Sequence, residues 1–267
     1  MIEEAGYRAL FAKIERDRGF RGALYRQRCL RRRVAVRMRA RGVSAPEAYA
    51  ALLDRDPHEY DLLLRTLTIN VSRFFRNRET WEAIRERVLP DLLRLRGQRL
   101  NAWSAGSAGG EEAYSLAILV WEWLESRGRR PWSGIQIIGT DIDEGSLELA
   151  RRAEFGPLAL IETPATTRRR WFTAAPPHRL DQSIRSRVQF QRLDILAERP
   201  VFEADLVLCR NLLIYVDRAA QSQVFRTFSS VLRPGGYLVL GRVETLDPEA
   251  RDSFEAVDAR ERIYRRR

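Results

Sequence analysis

Apolar positions change their spacing partway along this chain. In the arginine-rich run 16–41, Leu24, Leu30, Val34 and Met38 fall on one side at helical spacing, which predicts a helix with its apolar stripe docked and arginine ridges in water. Ser44 and Glu47 have the spacing of a capping box at the start of "APEAYAALL", and "EYDLLLRTL" follows, so residues 1–68 read as an all-helical domain. From about residue 98 the runs shorten. "LNAWS", "IQIIGTD", "VQF", "ADLVLC" and "YLVLG" are strand candidates, with helices expected at 111–126, 144–153 and 217–232. Strands alternating with helices predict a doubly wound α/β domain, 98–267, with a mostly parallel sheet. Residues 69–97 bridge the two domains, and "RPGG" at 233–236 stops the last long helix and turns the chain. At 157–187 four prolines and many arginines break the alternation, which marks an insertion.

A chain of 267 residues, 45% hydrophobic, can bury one substantial core and a smaller second one. No run approaches the roughly 18 apolar residues of a membrane span, and the acidic, arginine-containing start is unlike a signal peptide, so a cytoplasmic protein is expected, not a membrane protein. With only Cys29 and Cys209, and only His58 and His178, neither a disulfide framework nor a zinc site is supported, and no metal is expected. The net charge is +11 and Lys13 is the single lysine. An arginine surplus of that size suits an acidic partner, whether nucleic acid, anionic membrane or acidic protein surface; it is equally what a solvated helix face looks like.

The chemistry concentrates at strand ends. "SAGSAGGEEAYS", residues 104–115, sits where the first strand's loop enters its helix, the place where doubly wound sheets bind ligands. It matches neither the dinucleotide nor the P-loop pattern, and Glu111 and Glu112 would repel a pyrophosphate. Two readings follow. The acids either complement the helix dipole, worth about 0.3–1 kcal/mol, or face a cationic nucleoside such as S-adenosylmethionine, which has no phosphate but carries a sulfonium, an ammonium and ribose hydroxyls. Asp141 ends the second strand, where an acid accepts both ribose hydroxyls, and Asp194 follows the third, placed to accept from an adenine amino group. Three strand ends carrying acids favour the second reading.

"TINVSRFFRN" (68–77), "WSAGSAGGEEAYSLA" (103–117), "GTDIDEGSLELA" (139–150), "DLVLCRNLLIYVD" (205–217) and "LRPGGYLVLGRVETL" (232–246) together resemble the CheR-type chemotaxis receptor methyltransferases, protein-glutamate O-methyltransferases. The likeness covers nearly the whole chain. It implies a helical N-terminal domain on a Rossmann-like S-adenosylmethionine-dependent methyltransferase domain, with a small antiparallel β-subdomain inserted at 157–187. It implies that Asn70, Ser72 and Arg76 reach the active site, that Gly106 lies in the cofactor loop, and that Glu112, with Glu111 as second choice, meets the methionine ammonium. Asp141 would hold the ribose, Asp194 and Ile195 would lie along the adenine, and Asn211 and Leu212 would line the cofactor. Arg76 and Tyr215 would flank the substrate carboxylate. Ser72 stands where threonine is common, and Ser107, Gly109 and Ala113 replace the more familiar Cys, Thr and Pro.

Methyl transfer to a carboxylate needs no general base, because a glutamate of pKa about 4.3 is already ionised at neutral pH. This suits a chain whose histidines sit in no motif. "CRNLLIY" stands where amino-methylating nucleic-acid enzymes carry Asn/Asp-Pro-Pro-Tyr, which argues against a base as substrate. Cys209 reads as a small buried apolar side chain rather than a nucleophile, and at least one of Phe74 and Phe75 as core. The partner implied is the acidic helical cytoplasmic region of chemoreceptors, met by the basic N-terminal helix. The alternative is a catalytically weak S-adenosylmethionine-binding adaptor in a chemosensory array.

Overall fold

Four helices fill the N-terminal part of the chain: α1 (Ile2–Arg18), α2 (Gln27–Ala40), α3 (Pro46–Arg55) and α4 (Pro57–Thr68). The single basic helix expected over 16–41 is thus broken. Gly19, at φ +72, takes the left-handed conformation that ends α1, and a 3-10 turn at Gly22–Leu24 precedes α2. Leu30, Val34 and Met38 form the buried stripe of α2, while Leu24 lies outside it, half-buried. The capping box does not form: α3 starts at Pro46 after Ala45 with no side-chain cap, because proline at the first helical position presets the backbone there. Glu47 turns instead toward Gly6 of α1, which has no room for a Cβ.

The structure, a computed structural model, describes residues 2–68, 72–97, 99–129 and 134–267. It divides the chain into a helical unit, Met1–Asn70 with Tyr215–Gln221, and a sheet unit, Val71–Ile214 with Ser222–Arg267. Inside the helical unit the fully buried Glu59 accepts from Arg37 Nε at 3.0 Å, Arg37 Nη2 at 2.6 Å and Tyr49 Oη at 2.5 Å. Burial alone would raise the Glu59 carboxyl, but those donors outweigh it and hold it below the ordinary range. The returning segment is held by Arg26 N–H donating to Tyr215 O and Asp217 N–H donating to Leu24 O, both at 2.8 Å.

The sheet unit opens with α5 (Arg78–Ala83), which runs through a π turn at Ile84–Val88 into α6 (Leu89–Arg96). Then follow β1 (Leu100–Ala105), α7 (Glu111–Glu125), β2 (Ile135–Asp141), α8 (Glu144–Arg152), β3 (Glu154–Phe155), α9 (Ala165–Trp171), β4 (His178–Arg179) and α10 (Gln182–Arg185). The chain continues through β5 (Val188–Arg192), β6 (Ala204–Cys209), α11 (Arg218–Val231), β7 (Leu232–Leu240), β8 (Phe254–Asp258) and β9 (Ile263–Arg266). The main sheet has the order β5-β2-β1-β6-β7-β9-β8, with its first five strands parallel and β9 antiparallel to both neighbours. This is the doubly wound, Rossmann-like architecture expected. Its central strands are mostly apolar and buried, as strands of a parallel sheet are: every residue of β6 is buried, and Trp103 of β1, fully buried, donates its indole N–H to Thr140 Oγ1 at 2.9 Å.

Three local features differ from the sequence reading. Residues 78–96, expected only as a bridge, are helical, and the β8–β9 hairpin was not foreseen. "RPGG" does not stand apart as a turn; it lies within β7, where the register against β6 shifts between Ala204/Leu206. Of the interrupted segment, β4 pairs antiparallel with β3 as a small two-stranded sheet, and most of the rest is short helix.

Candidate active site

Parallel strands deliver the loops after β1, β2, β5 and β6 to one edge of the sheet. After β1 the chain reverses through Gly106 (φ +75), Ala108 (φ +47) and Gly110 (φ +88), all left-handed. Gly106 and Ser107 donate their N–H groups to Thr140 O at 2.8 and 2.9 Å, fastening the loop to the end of β2. A Cβ at Gly106 would stand 3.1 Å from the Leu212 side chain, so glycine is required both by conformation and by this approach. Asp141 completes the fastening: its Oδ2 accepts Ala108 N–H at 2.9 Å and its Oδ1 accepts Asp143 N–H at 3.0 Å. Burial pushes the Asp141 carboxyl up to about 6 against the pull of those amides.

Glu111 and Glu112 open α7 and are held differently. Glu111 is buried, its Oε2 has no hydrogen-bond partner among the described residues, and burial pushes its carboxyl up to about 7 with Ser72 partly opposing. Gly109 leaves that carboxylate open on one side, since a Cβ there would stand 3.0 Å from both oxygens. Glu112 takes Ser104 Oγ–H on Oε1 at 2.8 Å, and its Oε2 lies 3.6 Å from Arg210 Nη1. Burial raises this carboxyl too, with Arg210 the main opposing influence. Carboxylates withdrawn this far from water, Glu111 buried and Glu112 largely so, exceed what a helix-dipole decoration requires, and the unpartnered buried oxygen of Glu111 points to a cationic or hydrogen-donating ligand.

Arg76 sits between two strained residues, Phe75 at φ +54 and Asn77 at φ +61. Left-handed non-glycine residues cost on the order of 1–3 kcal/mol each and persist only where the surroundings fix them. Here Phe75 N–H donates to Ser115 Oγ and Asn77 N–H to Glu162 Oε2, both at 2.9 Å, while Arg76 O accepts Trp81 Nε1–H at 3.0 Å and Arg210 Nη2–H at 2.7 Å. Phe74 and Phe75 are both core; Phe74 packs edge-on against Phe155 and Phe172. Ser72 is half-buried, and Asn70 lies outside the described residues.

At the end of β6, Asn211 is also left-handed, at φ +62. Glu244 props it there: its Oε2 accepts Asn211 N–H at 2.9 Å and Gly241 N–H at 2.7 Å, and its Oε1 accepts Ile214 N–H at 3.3 Å. Sequence reasoning left Glu244 without a role and missed Arg210 altogether, although both lie in the motifs it quoted. Asp194 and Ile195 are buried after β5, with Asp194 Oδ1 accepting Leu196 N–H at 3.0 Å. Cys209 is buried and burial pushes its thiol well up, so it stays an uncharged core side chain. Tyr215 belongs to the helical unit, where Arg33 lies over its ring at 5.7 Å.

The donor set fits one kind of cofactor. Glycine-loop amides with buried carboxylates beside them disfavour phosphate, whereas an ammonium, a sulfonium and a ribose diol match Glu111, Glu112 and Asp141 in charge and hydrogen bonding. In fold and in sequence the protein belongs to the class of S-adenosylmethionine-dependent methyltransferases. Residues 70–263 match the CheR methyltransferase, SAM binding domain, and residues 5–68 the CheR methyltransferase, all-alpha domain; the chain belongs to the CheR methyltransferase family. It is similar to chemotaxis protein methyltransferase 1 of Pseudomonas aeruginosa, 34% identical over 192 residues, 70% of each chain. It is similar to the chemotaxis protein methyltransferase of Klebsiella aerogenes, 30% identical over 262 residues, 95% of this chain and 87% of that one. An uncharacterized 104.1 kDa protein of Rhodobacter capsulatus is 35% identical over 243 residues, 90% of this chain and 25% of that protein, so the chain spans a quarter of its length.

Proposed function

We propose that the chain transfers the methyl group of S-adenosylmethionine to glutamate side chains in the cytoplasmic region of a chemoreceptor, giving methyl esters in chemosensory adaptation. The reading rests on one observation above others, the acidic rim formed by the buried Glu111 and Asp141 and the largely buried Glu112, in the same unit as Arg76, which is braced between two strained neighbours. Bound S-adenosylmethionine supplies an electrophilic methyl group. Asp141 would hold its ribose, and Glu112 and Glu111 its ammonium end with Ser72; Gly106, Asp194, Ile195, Asn211 and Leu212 would line it, and the family resemblance adds Asn70 to these. The acceptor carboxylate is ionised without help, so the protein has to align and dehydrate rather than deprotonate. Arg76 would hold one carboxylate oxygen by charge-assisted hydrogen bonds, and Tyr215, which the family resemblance pairs with it, would orient the acceptor. Among the described residues no helix is long and apolar enough to cross a membrane.

Docking is assigned to part of α2. Arg31, Arg33 and Arg37 are engaged within the helical unit, by Glu4, Thr66 O and Glu59. Arg28, Arg32 and Arg39 are exposed and make no ion pair among the described residues, which leaves them for an acidic receptor helix. Reversing these three charges is expected to raise the receptor KM about 10-fold or more with kcat nearly unchanged, and to flatten its salt dependence. A collapse of kcat at constant KM would assign the helix to something other than docking. The function itself is tested by incubating the protein with methyl-labelled S-adenosylmethionine and receptor-containing membranes. Label that leaves receptor protein as methanol in mild alkali supports glutamate esters, whereas alkali-stable label or none overturns the reading.

A further inference from the structure

We propose that Arg210 is a positioning residue which holds the cofactor side and the acceptor side of the site as one unit. Its guanidinium is almost wholly buried. From Nη2 it donates to Arg76 O at 2.7 Å and Asn77 Oδ1 at 3.0 Å, while Nη1 lies 3.6 Å from Glu112 Oε2 and the guanidinium carbon 5.6 Å from the Trp81 ring centroid. Trp81 Nε1 meets the same Arg76 carbonyl at 3.0 Å. One planar fork thus ties the second acid of α7 to the left-handed pair that presents Arg76, across 134 residues of sequence. A buried arginine is costly unless its hydrogen bonds are used, and a lysine, a point charge on a flexible stem, does not reproduce both directions. The residue acts through Glu112 and Arg76, and this role rests on the methyl-transfer reading above.

Arg210→Lys is expected to lower kcat for receptor methylation about 100-fold, the scale of a misplaced reacting geometry, with the receptor KM changed less than about 3-fold. Trp81→Phe, which removes one of the two donors on Arg76 O and leaves the buried charges alone, should give a smaller fall in kcat of the same kind. A second readout needs no turnover. Glu112 faces Arg210 and Arg76 as cations, Glu244 as a like charge and the buried thiol of Cys209. In Arg210→Gln the Glu112 carboxyl loses its main cationic partner, so affinity for S-adenosylhomocysteine by calorimetry should rise with pH more steeply than in wild type, and adding Glu112→Gln should abolish that difference. Should wild type bind the ligand but methylate no receptor, the proposed function fails while the calorimetric comparison still decides the case of Arg210. Wild-type kcat in Arg210→Lys, or a wild-type pH profile of affinity in Arg210→Gln, overturns the proposal; if the glutamine variant does not fold, the lysine and Trp81 variants decide it.

Discussion

Asp141→Asn is expected to bind S-adenosylhomocysteine about 100- to 1,000-fold more weakly than wild type, the largest single-residue loss of affinity in the site. Two causes add. A carboxylate accepting from both ribose hydroxyls makes hydrogen bonds worth about 1.5–3 kcal/mol each, and each 1.4 kcal/mol is tenfold in affinity. The amide nitrogen of the variant must also face either Ala108 N–H or Asp143 N–H, the two donors that Asp141 now accepts at 2.9 and 3.0 Å. One clash of donors loosens the 106–110 loop, which otherwise hangs from Thr140 O by two bonds. Calorimetry reads the affinity directly. The thermal shift produced by saturating ligand should shrink in parallel, because stabilisation by a ligand follows its concentration relative to Kd. Affinity within 5-fold of wild type would show that Asp141 only braces the loop.

The sequence displayed the acids of the rim because each lies at or soon after the end of an apolar strand: Asp141 ends β2, and Glu111 and Glu112 start α7 after the five-residue loop 106–110 that leaves β1. Gly106 was legible for the same reason, since a left-handed turn between strand and helix asks for glycine. Arg210 and Glu244 were not. Their meaning lies in partners far away in sequence, Arg76 O at a separation of 134 residues and Asn211 N–H at 33, and no spacing rule connects them. The arginine run shows the complementary difficulty. Composition alone cannot separate Arg37, locked on the buried Glu59, from Arg39, left in water on the same helix. Helix 78–96 was hidden by Pro90, whose missing N–H and ring would break a regular helix; a π turn at Ile84–Val88 lies in the preceding turns.

Glu111→Gln is expected to abolish the pH dependence that this one carboxyl imposes on the stability of the ligand-free protein. Buried, it titrates near 7 rather than at its ordinary 4.5, so the folded state holds the proton more tightly than the unfolded chain does. Stability therefore falls as pH rises through that window, because the unfolded state releases the proton first. The size follows from the shift, on the order of 3 kcal/mol between pH about 4.5 and 8, in a residue only 9% exposed. Glutamine cannot titrate, and its extra N–H₂ inherits the unpartnered position of Oε2 at a cost of about 1–3 kcal/mol. The variant should thus be less stable than wild type at pH 4.5 and equal or more stable at pH 8, with a crossing between. Binding should move the opposite way at pH 8, since the lost charge is the one awaiting an ammonium, and S-adenosylhomocysteine should bind the variant more weakly. Denaturant unfolding at several pH values, with and without ligand, reads both effects. Parallel stability curves for the two proteins would place the proton elsewhere and remove Glu111 from the cofactor's charge balance.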